Sequence, residues 1–155
     1  MMHWKWSISA CIAIASIVIA DITTVQAHKG AKGVVMERMM AMKSMGDGMK
    51  TIAAMVTGKA PYDASTTKTI AAEINQHAVS IPKHFPKGSI DGPSEALPSI
   101  WEDWDGFKVH ADQLSKLAVQ LADAADTGKA AALSLFAQMG KTCSGCHQDY
   151  RQKKE

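Results

Sequence analysis

Cysteine is scarce in this 155-residue chain, with three in all. That excludes the disulfide-dense scaffolds of small secreted domains. Aromatic residues make up only 6% of the chain, and β-branched runs are few after residue 30, which speaks against a strand-built fold. Charge of either sign is nearly balanced, at a formal +2, and no basic stripe stands out, which argues against nucleic acid as the partner. Proline is confined: four of the five lie between residues 82 and 98, so most of the chain is free to be helical. Alanine and methionine are plentiful, and both favour helix. The length suits one domain with a real core and is too short for two ordinary ones.

Long hydrophobic runs are also missing. The apolar stretch "ISACIAIASIVIA", residues 8–20, is shorter than the about 20 residues a membrane-spanning helix needs. It follows a short segment carrying Lys5 and precedes "VQA", with small residues at −3 and −1 of a cut before His28. Residues 1–27 therefore read as a cleavable secretory signal rather than an anchor, with residues 28–155 as the exported domain. Cleavage would remove Cys11 and leave Cys143 and Cys146, two thiols sent to an oxidising compartment.

Four segments carry the helical period. In the first, about 30–57, Val35, Met39, Met42, Met45, Met49, Ile52 and Val56 recur at steps of three and four. "TGKAPYD" ends it, and Asp63 or Ser65 can cap a second helix over 64–80 with Ile70, Ile74, His77 and Ile81 inward. A proline-rich connection covers 82–99. A third helix is expected over 99–125, with Ile100, Trp104, Phe107, Leu114, Leu121 and Ala125 on one face. "DTG" at 126–128 breaks it, and a fourth helix over 129–151 turns Ala132, Phe136, Met139, Cys143, Cys146 and Tyr150 inward. The expected fold is all-α, an antiparallel four-helix bundle.

The stretch "KTCSGCHQDYR", residues 141–151, carries the chemistry. Two thiols one helical turn apart can add to the two vinyl groups along one porphyrin edge, and the imidazole behind them can take the iron. C-x-x-C-H is the usual signature of covalent c-type haem attachment. Thiol–disulfide exchange would place C-x-x-C at a helix start after a strand, and no strand precedes it here. A structural zinc site needs four ligands, and the cluster offers three. The expected cofactor is one haem c held by Cys143 and Cys146, with His147 as proximal ligand. Arg151, one turn later, is expected at the proximal side or at a haem propionate; a solvated basic terminus explains it equally well.

In these features the chain resembles the cytochrome c-prime family, the class II c-type cytochromes. The resemblance rests on "CSGCHQDYR" at 143–151, "GKAPYD" at 58–63, "FPKGS" at 85–89 and "SIWEDWDGF" at 99–107, in that spacing. It implies a haem-containing four-helix bundle, often a homodimer through the first two helices. One branch of the family leaves the iron five-coordinate and binds nitric oxide or carbon monoxide; the other adds a methionine ligand and transfers electrons. The register "RMMAM", Arg38 to Met42, implies Met42 as sixth ligand and Arg38 near a propionate. The residues alone leave Met39, Met45 and Met49 equally open, because seven of the ten methionines fall between 36 and 55 and such a stripe also suits adaptable core packing.

The expected function is then a periplasmic electron carrier with His147/Met42 ligation, exchanging electrons with redox partner proteins and performing no enzymatic chemistry. The alternative is a five-coordinate protein binding nitric oxide or carbon monoxide. A helical module using its thiols without haem is the third reading.

Overall fold

The computed structural model describes residues 30–153, so the expected secretory signal lies outside the described residues. Four long helices, α1 (Gly33–Val56), α2 (Ala64–Ser80), α4 (Trp104–Ala124) and α5 (Lys129–Tyr150), form the bundle, with a short α3 (Ser99–Glu102) ahead of α4. No described helix is long and apolar enough to cross a membrane.

The helix ends follow from local chemistry. α1 stops where Gly58 takes φ +80°, a left-handed conformation that suits glycine. Asp63 caps α2 by accepting a hydrogen bond from the Thr66 backbone N–H at 2.6 Å. A 3₁₀ turn over Ala125–Thr127 and Gly128 at φ +109° close α4 and turn the chain into α5. The side chain of Tyr62 ties this corner down, its hydroxyl donating to the Ala125 carbonyl at 2.8 Å.

The third segment departs from the expected single helix over 99–125. It breaks at Asp103, whose φ/ψ of −121°/57° leaves the helical region. The Asp103 carboxylate accepts from the Gly106 backbone N–H at 3.1 Å and from the Tyr150 hydroxyl at 2.6 Å. Asp103 therefore caps α4 and anchors the end of α5, interactions a continuous helix would not allow.

The core runs down the bundle axis through Ile52, Ile74, Ile100, Leu121 and Met139, all essentially without solvent exposure. The inner stripe of α2 is rotated from the expected one. Thr67, Ala71, Ile74 and Ala78 are buried, whereas Ile70 and His77 are only half-buried. Small side chains let α2 lie close against α4, and the buried Thr67 hydroxyl is satisfied by the Asp63 carbonyl at 2.8 Å. α1 packs on both α2 and α5, and a cavity opens between its N-terminal half and the end of α5.

Candidate haem site

A cavity of about 490 Å³ lies between α1, the loop before α3, and α5. This is within the range of small-molecule and cofactor sites. From α1 it is lined by Arg38, Met39, Met42, Lys43 and Gly46, and from the end of α5 by Cys146, His147, Tyr150 and Arg151. Phe85, Pro93, Glu95, Ala96, Ile100 and Phe107 complete a mostly apolar wall. Five of the six residues singled out in the sequence thus border one space. The sixth, Cys143, sits one turn before Cys146 and packs half-buried against the core.

The methionine stripe divides. Met45 is buried, Met42 and Met49 both pack against the core, and Met39 and Met42 border the cavity. Of the four thioethers left open by the sequence, two face this space. Gly46, one turn beyond Met42, borders it too, and a Cβ added there would meet no atom within 4 Å.

Both thiols are free. Burial pushes the Cys143 thiol above its ordinary value, and burial, followed by the neighbouring Cys143 and Asp149, pushes Cys146 up to about 11. Both therefore stay protonated near neutral pH, unlike the lowered thiols of exchange motifs. His147 is exposed, yet partial desolvation and then the Arg151 charge lower its pKa, with Glu95 opposing. The ring is kept neutral, as a metal ligand must be. Among the described residues no group of three or more His, Cys, Asp or Glu side chains could hold a metal ion by itself.

The two arginines are both engaged. Arg151 Nε and Nη2 donate to Glu95 Oε2 at 2.7 and 2.5 Å. Arg38 is 4% exposed, and its hydrogen bonds go to His84, Ser89 and Ser94. Glu95, Ser89, Ser94 and the Asp103–Tyr150 pair were not found from the sequence. The proline-rich "FPKGSIDGPSEALPS" marked the loop but not which of its side chains turn inward.

This donor set fits a haem. Paired protonated thiols and a neutral imidazole lie on the last turns of one helix, beside an apolar slot with an arginine at either side. Among the described residues zinc lacks a fourth ligand, and no strand precedes the motif as disulfide exchange would require.

Comparison with known proteins agrees. The sequence model of the family described as Cytochrome C′ matches residues 33–151. A cytochrome c-556 of Agrobacterium tumefaciens (strain II Chrys) is 37% identical over 122 residues, covering 79% of this chain and 99% of that protein. A cytochrome c′ of Rhodopseudomonas palustris is 38% identical over 125 residues, covering 78% and 83%. Among solved structures, cytochrome c prime from Shewanella frigidimarina superposes with a TM-score of 0.72 at 30% identity, covering 77% of this chain and 94% of that one. The nitric oxide complex of a mutant cytochrome c prime from Alcaligenes xylosoxidans gives 0.71 at 30% identity, covering 78% and 94%. The chain belongs to the cytochrome c′ family, as a haem protein of the electron-transfer or gas-binding kind whose cofactor is one haem c at the Cys143–Cys146 motif.

Proposed function

We propose that this chain is a gas-binding haem protein, with His147 as the one protein ligand to the iron and Met42 a packing side chain on the opposite wall of the cavity. The observation that carries this reading is the space beside Met42. Gly46 follows one turn later on the same cavity wall, and a Cβ there would touch nothing within 4 Å. Gly46 is also exposed, so with a haem in the cavity this wall would carry no side chain to block a molecule as small as nitric oxide or carbon monoxide. Met42 is half-buried and packs against the core, which suits a shielding side chain, and a neutral thioether is a weak donor. The nitric oxide complexes among the similar cytochromes c prime support the same reading.

When bound, a haem would supply an iron able to take an electron or a small gas. The chain's residues do the rest. Cys143 and Cys146 hold the group on α5, and the neutral ring of His147 presents its lone pair. Met39, Met42, Phe85 and Phe107 exclude water. Arg151 belongs to the proximal wall, fixed there by Glu95.

A second reading, permanent His147/Met42 ligation in an electron carrier served by redox partner proteins, is favoured by one observation: both residues border the same cavity. Carbon monoxide titration of the reduced protein, wild type beside Met42→Leu, separates the two. The proposal expects both proteins to bind, with affinities within about tenfold, a difference of about 1.4 kcal/mol. A wild type that refuses carbon monoxide while Met42→Leu accepts it would establish Met42 as a permanent ligand. Export to a bacterial periplasm and pairing of two copies through α1 and α2 complete the proposal. Export is supported by the signal-like residues 1–27, and pairing by Met40, which is 56% exposed on α1.

A further inference from the structure

Arg38 is one of two polar side chains in the described core, at 4% exposure. Its Nη1 donates to Ser89 Oγ at 3.0 Å and to the His84 carbonyl at 3.5 Å. Its Nη2 donates to the Ser89 carbonyl at 2.5 Å and to the Ser94 hydroxyl. The guanidinium also lies over the Phe85 ring, 4.8 Å from its centroid. All these contacts fall on residues 84–94, and every acceptor is neutral. Burying a guanidinium costs free energy unless its N–H groups are satisfied, and here one loop supplies nearly the whole set.

The same loop is fastened at its far end. Glu95 holds Arg151, the Leu97 N–H donates to the Tyr150 carbonyl at 3.0 Å, and the Gln152 N–H donates to the Glu95 carbonyl at 2.8 Å. Trp101 Nε1 donates to the Phe85 carbonyl at 2.9 Å. Between these fastenings the loop contributes Phe85, Pro93, Glu95 and Ala96 to the cavity wall. It carries two glycines at positive φ, Gly88 at +78° and Gly92 at +70°, and has no regular structure of its own. Without side-chain anchors such a segment would open locally at little cost.

We propose that Arg38, Ser89 and Ser94 are positioning residues that hold residues 84–94 as a fixed wall over the haem and so set how much water reaches it. Arg38 borders the cavity too, and four of its five N–H groups are spent on the loop. This rests on the bound haem and not on the choice between gas binding and electron transfer.

The test uses the holoprotein. Lys87 is exposed inside the loop, so trypsin cleavage after it reports loop opening. The haem reduction potential reports water in the cavity. Ser89→Ala/Ser94→Ala is expected to be cleaved at Lys87 about tenfold faster, with helix melting little changed. Its reduction potential should fall, because added water favours the more highly charged ferric state. Ser89→Thr/Ser94→Thr keeps both hydroxyls and should restore both readouts. Arg38→Lys keeps the charge but cannot fork, and should behave like the alanine pair. Unchanged cleavage and potential in the alanine pair would overturn the proposal, whatever Arg38→Lys does. So would rapid cleavage at Lys87 in the wild type. If Arg38→Lys yields no holoprotein, the serine variants decide alone. No readout involves a gas, so failure of the gas-binding reading would leave this result intact.

Discussion

Gly46 and Gly48 lie two residues apart on α1, and replacing each by alanine should have opposite consequences. In a helix interior alanine is favoured over glycine by about 1 kcal/mol. At Gly46 nothing in the protein opposes that gain, since a Cβ meets no atom within 4 Å. At Gly48 a Cβ would lie 2.7 Å from Ile70 Cγ2 and 3.7 Å from Ile74 Cδ1. Carbon atoms settle at about 3.5–4.0 Å, so Ile70 or the helix must move by about 1 Å. Overpacking of this kind costs about 1–3 kcal/mol, which outweighs the helical gain by up to about 2 kcal/mol. Gly48→Ala should therefore melt at a temperature lower by up to about 8 °C, with carbon monoxide affinity unchanged. Gly46→Ala should melt about 4 °C higher. It should also bind carbon monoxide about tenfold more weakly, because its methyl enters the room beside Met42; one methylene in a binding pocket is worth about 1–3 kcal/mol. Circular dichroism melts and gas titrations of the two reduced holoproteins supply the data. Unchanged affinity in Gly46→Ala, or equal weakening in Gly48→Ala, would refute the claim that this space borders the gas site.

Two further outcomes follow from the same geometry. Tyr150→Phe removes the 2.6 Å bond to Asp103, a bond that raises Tyr150 to about 12 and holds Asp103 below its ordinary 3.8. Asp103's share of stability is present above 3.8 and lost as pH falls through its lower folded value; Tyr150's is present below its ordinary 10.0 and lost as pH rises through about 12. The gap in melting temperature between wild type and variant should be flat from about pH 5 to 9 and shrink in acid, and a gap that widens in acid would contradict this. Met40→Glu, at a side chain 56% exposed on α1, should convert a dimer to a monomer by sedimentation velocity; a wild type already monomeric would remove the proposed pairing.

Much of this was legible in the sequence, for physical reasons. The helical period and the punctuation at Gly58, Asp63 and Gly128 are local signals, and they placed α1, α2 and α5 within three residues at each end. The haem motif was legible because its chemistry is written in consecutive residues. What escaped depends on partners distant in the chain. "SIWEDWDGF" keeps a helical period through Asp103, and the break appears only once Tyr150, 47 residues later, reaches its carboxylate. Arg38 was singled out by the family register, and it does border the cavity; its serine partners, 51 and 56 residues away, were not legible. On α2, large apolar side chains drew attention to Ile70 and His77, whereas close helix packing selected Thr67, Ala71 and Ala78.

The visible absorption spectrum of the reduced protein, before any gas is added, tests the central claim most directly. A single broad, merged band is predicted, the mark of a high-spin iron held by His147 alone. Sharp, separate α and β bands would contradict the account: Met42 would then be a standing ligand and the protein an electron carrier.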